Sequence, residues 1–174
     1  MWEKGRIPEG GSFGHDSPQT SEEYRLNRNI KKGANAMPIS ESVANLLKSS
    51  GIAYEVMKHP QAFTAQEVAA TVHVTGKEVA KTIVVNADGK YVMAVIPAPH
   101  KVSLKLLREL LGAKEVRLAS ETELTQLFPD CEVGAMPPFG NLYNMPVYIS
   151  AGLKDRKEII FNACTHTEVF KISY

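Results

Sequence analysis

The stretch Gly134-Ala135-Met136-Pro137-Pro138-Phe139-Gly140 has the composition of a loop built to hold something. Glycine permits positive φ and lets another group approach closely. Proline holds φ near about −65° and donates no backbone hydrogen bond. A loop bracketed by glycines and stiffened by Pro-Pro presents its amides and carbonyls in set directions, which suits a small ligand or a reacting carbonyl. A tight structural turn between two strands has the same composition. Lys81 opens the apolar run Thr82-Ile83-Val84-Val85. Its stem can pack on a sheet while the ammonium reaches over a pocket to hold a phosphate or carboxylate. The plainer alternative is a solvated lysine at a strand start. His59 could shuttle protons, or simply bond to loop backbone. Thr64 reads first as a helix N-cap, and the amides beside it could form a small anion site. Asn162 and His166, in Phe161-Asn162-Ala163-Cys164-Thr165-His166, supply polar contacts or merely a turn.

The bulk composition narrows the field. The chain has 174 residues and a formal net charge of +1. That length suits one domain with a tail, and the charge excludes a strongly basic duplex-DNA binder, whose affinity comes from phosphate contacts. Cys131 and Cys164 are the only cysteines and match neither zinc-ligand nor CxxC spacing. Neither a metal site nor a disulfide framework is expected, and a reducing, cytoplasmic setting fits. No apolar run reaches membrane-spanning length, and the N-terminus lacks the apolar region of a signal peptide. A Cys164–His166 nucleophile pair is discounted, because alternation along a strand does not bring two such side chains together and small buried cysteines are commonplace. No Walker loop, GxGxxG, GxSxG or HExxH occurs, and no cofactor is implied.

Positioning these residues requires a particular set of elements. Residues 1–36 are rich in Gly, Ser, Asn and charge, and read as a flexible N-terminal extension. The packed domain is expected over residues 37–174. Ser40 would cap a helix carrying Val43, Leu46 and Leu47 and closed by Gly51. Ile52 to Met57 alternates like a strand. Thr64 and Glu67 form a capping box ahead of a short helix. Lys81 to Val85 and Tyr91 to Ile96 read as a hairpin turning at Asn86-Ala87-Asp88-Gly89. Ser103 and Gly112 bracket a leucine-rich helix, and Ser120 and Glu123 form a second capping box. Short strands are expected at 116–118, 147–149, 159–161 and 169–172. Helices and hairpins without regular βαβ alternation argue for an α+β fold with a mixed, largely antiparallel sheet.

Taken in order, the clusters are more specific than any one of them. They run His59-Pro60, Thr64-Ala65-Gln66-Glu67-Val68-Ala69, Ala80-Lys81-Thr82-Ile83, Pro97, His100-Lys101-Val102-Ser103-Leu104, Gly134 to Gly140, and Phe161 to His166. Over residues 37–174 the chain resembles the YbaK/EbsC family, which shares its domain with the editing insertion of bacterial prolyl-tRNA synthetases and with free-standing ProXp proteins. The resemblance implies a curved, barrel-like sheet with surrounding helices. It also implies a trans-editing deacylase that hydrolyses the ester between a wrongly attached amino acid and the 3′-terminal adenosine of a tRNA, notably tRNA(Pro) carrying Ala or Cys. The 3′ acceptor end of a mischarged tRNA is the implied partner, and prolyl-tRNA synthetase a candidate one.

On this resemblance Lys81 holds the terminal nucleotide, and the family's GxxxP loop maps onto Gly134 to Pro138, where the backbone orients the aminoacyl carbonyl. Ala135, Met136, Pro137, Phe139 and Gly140 complete that wall, with His59, Thr64, Asn162 and His166 facing substrate. His166 would help select the side chain. An activated ester needs positioning and an oxyanion-orienting backbone more than a protein nucleophile. The attacking group would come from water organised by the 2′-hydroxyl, or from the substrate's own thiol. The chain departs from the pattern at Cys164, where many relatives have glycine, and at Ser103, often acidic in relatives. It also stops at Tyr174, so an incomplete last strand or a truncated chain is expected. A non-catalytic module binding aminoacyl-tRNA, nucleotide or amino acid is the alternative.

Overall fold

The computed structural model describes residues 2–4 and 39–174. Helix α1 (Ile39–Ser49) buries Val43 and Leu47, spaced one turn apart, completely. It begins at Ile39, so Ser40, expected before the helix, lies inside its first turn. Gly51 closes it at φ 67°, and the Ile52 amide reaches back to the Leu47 carbonyl. After strand β2 (Tyr54–Lys58), Thr64 caps helix α2 (Ala65–Thr71) with the reciprocal Glu67 bond of a full capping box.

Strands β3 (Ala80–Ala87) and β4 (Lys90–Pro97) form the expected hairpin. Asp88 and Gly89 at its tip both hold positive φ, as a two-residue turn between twisted strands requires. Helix α3 (Leu104–Leu111) runs from its Ser103 cap to a left-handed Gly112. Strand β5 (Val116–Leu118) leads to helix α4 (Glu121–Leu127), which carries the Ser120–Glu123 box. The Gly134 loop follows, then a 3₁₀ turn at Gly140–Tyr143 and strands β6 (Val147–Ser150), β7 (Glu158–Asn162) and β8 (Glu168–Ser173). Most of the segment expected as an extension, residues 5–36, lies outside the described residues. Residues Trp2–Lys4 form β1, antiparallel to β6. Among the described residues no helix is long and apolar enough to cross a membrane.

The strands divide into two sheets, ordered β1-β6-β4-β3-β5 and β2-β8-β7. Among the ladders of the described residues, β4–β6 alone is parallel. The fold is α+β and mixed, as expected, and among the described residues the strands do not close into a barrel. The two sheets meet at a single isolated parallel bridge, Val79 to Ile160, beside the Ile160 amide bond to the Glu78 carbonyl. Beyond it β3 and β7 share no ladder. Apolar side chains on both sides of the bridge hold the sheets together. Val68, Val72, Val79, Ile160 and Val169 form one buried cluster under α2. Phe161, packed edge-on to Phe139 and stacked on Phe170, lies in a larger one.

The cysteines are a second correction. Cys131 and Cys164 are joined as a disulfide, and no free cysteine remains. The pairing was invisible because the two lie 33 residues apart and only the folded chain brings the Gly134 loop against the β7–β8 turn. Closing a loop of this length removes roughly 3–4 kcal/mol of unfolded-chain entropy.

Glu123 ties β4, β5 and α4 to one another. Its carboxylate accepts from both Arg117 guanidinium nitrogens (2.7 Å each), the Tyr91 hydroxyl (2.6 Å) and the Ser120 amide (2.7 Å). The Arg117 bonds foremost, then those of Tyr91 and Ser120, hold its pKa well below the usual carboxylate range. A depressed folded-state pKa contributes stability that is present above the unfolded value, about 4.3, and is lost as pH falls toward the folded one. Glu123→Gln should therefore lower the thermal midpoint at pH 7. Melts of the two proteins should converge as the pH drops below about 4, and a gap that stays constant would contradict this account.

Candidate functional site

Where β3 and β7 fail to pair, a cavity of about 280 Å³ opens. The start of β3 lines it with Val79, Ala80, Lys81 and Thr82, the end of β7 with Asn162, the Gly134 loop with Gly134 and Met136, and the entry to α2 with Phe63, Thr64, Ala65 and Gln66. The position follows from topology. A strand edge without a partner leaves room for a ligand, and residues on that edge face it.

Lys81 is half-buried, and its ammonium donates to the Ala98 carbonyl at 3.0 Å. Gln66 donates its side-chain amide to the same oxygen, also at 3.0 Å. Ala98 is itself fixed, since its own amide bonds to the Val79 carbonyl at 2.8 Å. An ammonium has three donors, so those not given to Ala98 are free to meet a ligand. Among the described residues no carboxylate forms an ion pair with Lys81. Burial pushes its pKa below the ordinary lysine value. The side chain is thus a partly desolvated cation aimed by a backbone carbonyl, which makes it a better anion partner than a surface lysine.

The opposite wall is held by backbone geometry. Gly134 has φ 93°, a conformation that a β-carbon disfavours. The Ala135 amide bonds to the Glu132 carbonyl (3.0 Å), the Glu132 amide to the Cys164 carbonyl (2.9 Å), and the Cys164 amide to the Ala135 carbonyl (2.9 Å). Gly140 has no room for a side chain, because a β-carbon would run into the Met145 carbonyl oxygen and come within 2.6 Å of Val147 Cγ2. Ala135 is fully buried, as is most of Pro137, and Phe139 packs on Phe161. Ala135, Pro137, Pro138, Phe139 and Gly140 therefore anchor the loop without lining the cavity themselves.

His166 sits behind the cavity and joins its two rims. Its Nδ1 is 3.1 Å from the Ala62 carbonyl and its Nε2 is 3.0 Å from the Val133 carbonyl. Both partners are acceptors, and a neutral imidazole donates to only one of them. The His166 amide donates to Glu132 Oε2 at 2.7 Å, and the ring packs against Phe63 with centroids 5.0 Å apart. His59 lies outside the cavity, with Nδ1 at 2.7 Å from the Pro60 carbonyl and its buried Nε2 unpartnered. The amides of Phe63 and Thr64, which could have received an anion, bond instead to the Glu67 carboxylate at 3.0 and 2.9 Å.

Of the residues singled out in the sequence, Thr64, Lys81, Gly134, Met136 and Asn162 come together around one space. Phe63, Gln66 and Thr82 line it too and were not singled out as site residues. Phe63 is 65% exposed despite being large and apolar, and Thr82 Oγ1 is buried without a partner. Phe63 and Gln66 flank the capping threonine, and Thr82 follows the lysine, so proximity to predicted site residues was the available signal. Among the described residues no carboxylate, imidazole or thiol lines the cavity. The arrangement offers one cation, two hydroxyls (Thr64 and Thr82), two side-chain amides (Gln66 and Asn162) and the Gly134 peptide at positive φ. Such a set can hold and orient a small polar group that already carries its own leaving group.

Comparison with known proteins agrees in kind. The aminoacyl-tRNA editing domain family matches residues 59–174. A proline–tRNA ligase of Bacillus mycoides (strain KBAB4) is 31% identical over 88 residues, 51% of this chain and 15% of that protein. The Bacillus cytotoxicus ligase is 32% identical over the same shares. The chain thus spans a small part of these relatives. The hypothetical protein APE2540 superposes with a TM-score of 0.69 at 26% identity, covering 75% of this chain and 87% of that one. A proposed trans-editing enzyme for prolyl-tRNA synthetase shares the fold, with a TM-score of 0.68, 21% identity and coverage of 80% and 88%.

The His166 bonds can be tested apart from function. His166→Ala removes the ring donor to one of the Ala62 and Val133 carbonyls and the ring's packing on Phe63, which should cost about 1–3 kcal/mol. Denaturant unfolding should show a lower midpoint at unchanged slope, and an unchanged midpoint would show that the clamp contributes nothing.

Proposed function

As the chain belongs to the aminoacyl-tRNA editing domain family, we propose that it is a deacylase that removes a small, wrongly attached amino acid from the 3′ end of a tRNA. The carrying observation is Lys81, a half-buried cation without a carboxylate partner, held by Ala98 at the seam between the two sheets. Its ammonium faces the terminal nucleotide, whose phosphate and ester oxygens are the complementary charge. The Gly134 loop orients the aminoacyl carbonyl from the other side. A cavity of about 280 Å³ suits an amino acid as small as alanine or cysteine, with Met136 against its side chain.

Hydrolysis adds water to the ester carbonyl and breaks its bond to the ribose oxygen, releasing the free amino acid and the tRNA hydroxyl. The cavity supplies no base, so the ribose 2′-hydroxyl organises the water, or a cysteinyl substrate attacks with its own thiol. Proline–tRNA ligases among the relatives favour tRNA(Pro) as the carrier, and Ala-tRNA(Pro) or Cys-tRNA(Pro) as the substrate. One methylene of pocket volume discriminates by only about 1–3 kcal/mol, so more than one small amino acid should be accepted.

The deciding experiment follows release of labelled amino acid from Ala-tRNA(Pro), Cys-tRNA(Pro) and Ser-tRNA. Lys81→Ala should lower kcat/KM on the preferred substrate by about 100-fold or more, the usual loss for one preorganised electrostatic contact. Equal rates for the variant and the wild type would remove Lys81 from the mechanism. Binding without release by the folded wild type would point to a recognition module instead.

A further inference from the structure

We infer that the Cys131–Cys164 disulfide positions the Gly134 loop for turnover, and that thiol–disulfide exchange at this bond switches the pocket between a fast oxidised and a slow reduced form. The inference rests on the deacylase reading above. The bond joins two chain segments that each contribute to the cavity's lining. Cys131 opens the loop that supplies Gly134 and Met136, and Cys164 follows two residues after Asn162. Without the bond, the Glu132–Cys164 and Cys164–Ala135 backbone bonds described above still join the two segments. Reduction is therefore expected to loosen the wall without unfolding it.

Cys164 adopts φ 69°, in the left-handed region that a residue bearing a β-carbon disfavours. The bond to Cys131 fixes its side chain and helps hold that backbone. Once reduced, the turn is free to relax toward negative φ, and relaxation moves the Ala135 carbonyl partner and the loop with it. A loop that orients a reacting carbonyl is sensitive to such a shift, since a displacement of about 1 Å can cost 100-fold.

The exchange is chemically open. Cys131 is half-buried whereas Cys164 is only 3% exposed. A thiolate of an external dithiol attacks Cys131 Sγ, forms a mixed disulfide there and expels the Cys164 thiolate. The second thiol of the reductant then displaces Cys131 and closes the reductant's own disulfide. Two electrons pass from the dithiol to the protein, and its two protons end on the cysteines. The Tyr143 hydroxyl lies 3.4 Å from Cys131 Sγ and 3.6 Å from Cys164 Sγ, placed to donate to the departing thiolate. Burial foremost, then Asp130, pushes the Tyr143 pKa up, so it stays a donor. A small-molecule disulfide reverses both steps. Disulfides seldom persist beside cellular thiol reductants unless they cycle, and an enzyme of aminoacyl-tRNA works beside such reductants.

The test uses the full chain, poised with dithiothreitol or with oxidised glutathione, and mass spectrometry to count the two hydrogens gained on reduction. Reduction should lower kcat on the preferred aminoacyl-tRNA between about 5-fold and 100-fold, with KM little changed and full recovery on reoxidation. Cys131→Ser should match the reduced wild type in both conditions. Equal kcat in the two states, or free thiols persisting after oxidation, would overturn the inference. If neither state releases any amino acid, the deacylase reading fails on its own. Hydrogen exchange at the Ala135 and Cys164 amides then judges the tether: at least 10-fold faster exchange on reduction supports it, and unchanged exchange sinks it.

Discussion

A single imidazole, set between two carbonyls from opposite rims and donating to one of them, fixes the geometry around the cavity. His166 reaches Ala62 on the approach to α2 and Val133 on the approach to Gly134. Its own amide and carbonyl add bonds to Glu132 and to the Ala62 amide, so the turn carrying it is fastened to both sides. Buried carbonyls without a donor are costly, and the ring lies within hydrogen-bond distance of both while donating to one of them. The Cys131–Cys164 bond and the Ala135–Cys164 backbone bond lie on the same turn. Position in the Gly134 loop is thus inherited from β7 and β8, which lie in the other sheet.

The seam between the sheets is the counterpart of this clamp. One bridge at Val79 and Ile160 brings the sheets together, and apolar packing under α2 secures it. Beyond the bridge, Lys81 and Thr82 pair with β4 on one edge and meet open space on the edge toward β7. A closed barrel would fill that space with paired backbone. The open seam leaves a partly buried cation and an unpartnered hydroxyl facing it. Rigidity from the clamp and openness at the seam together give a small preorganised cavity, which is what an already activated ester needs.

Much of the architecture was legible locally. Thr64 with Glu67, Ser120 with Glu123, and Ser103 with Gly112 mark their helices because capping is a contact among residues three or four apart. The β3–β4 hairpin was legible because its turn residues and its alternating apolar runs are adjacent in the chain. Ser40 misled by two residues, since a helix start can shift when no reciprocal acidic residue pins it. Lys81 and Gly134 were singled out by type and neighbours. Phe63 and Thr82 were not, because nothing in a phenylalanine or a threonine announces that tertiary structure will leave one exposed and the other unpartnered.

The order of the motifs, the caps, the hairpin and the lysine before an apolar run were determined by the sequence itself, since each depends on residues within a few positions of one another. Tertiary structure alone decided that the sheet stays open, that Lys81 takes its direction from Ala98, that His166 braces the loops from behind the cavity, and that Cys131 meets Cys164. Those outcomes rest on pairs separated by tens of residues, whose approach is set by how two sheets pack around a shared core.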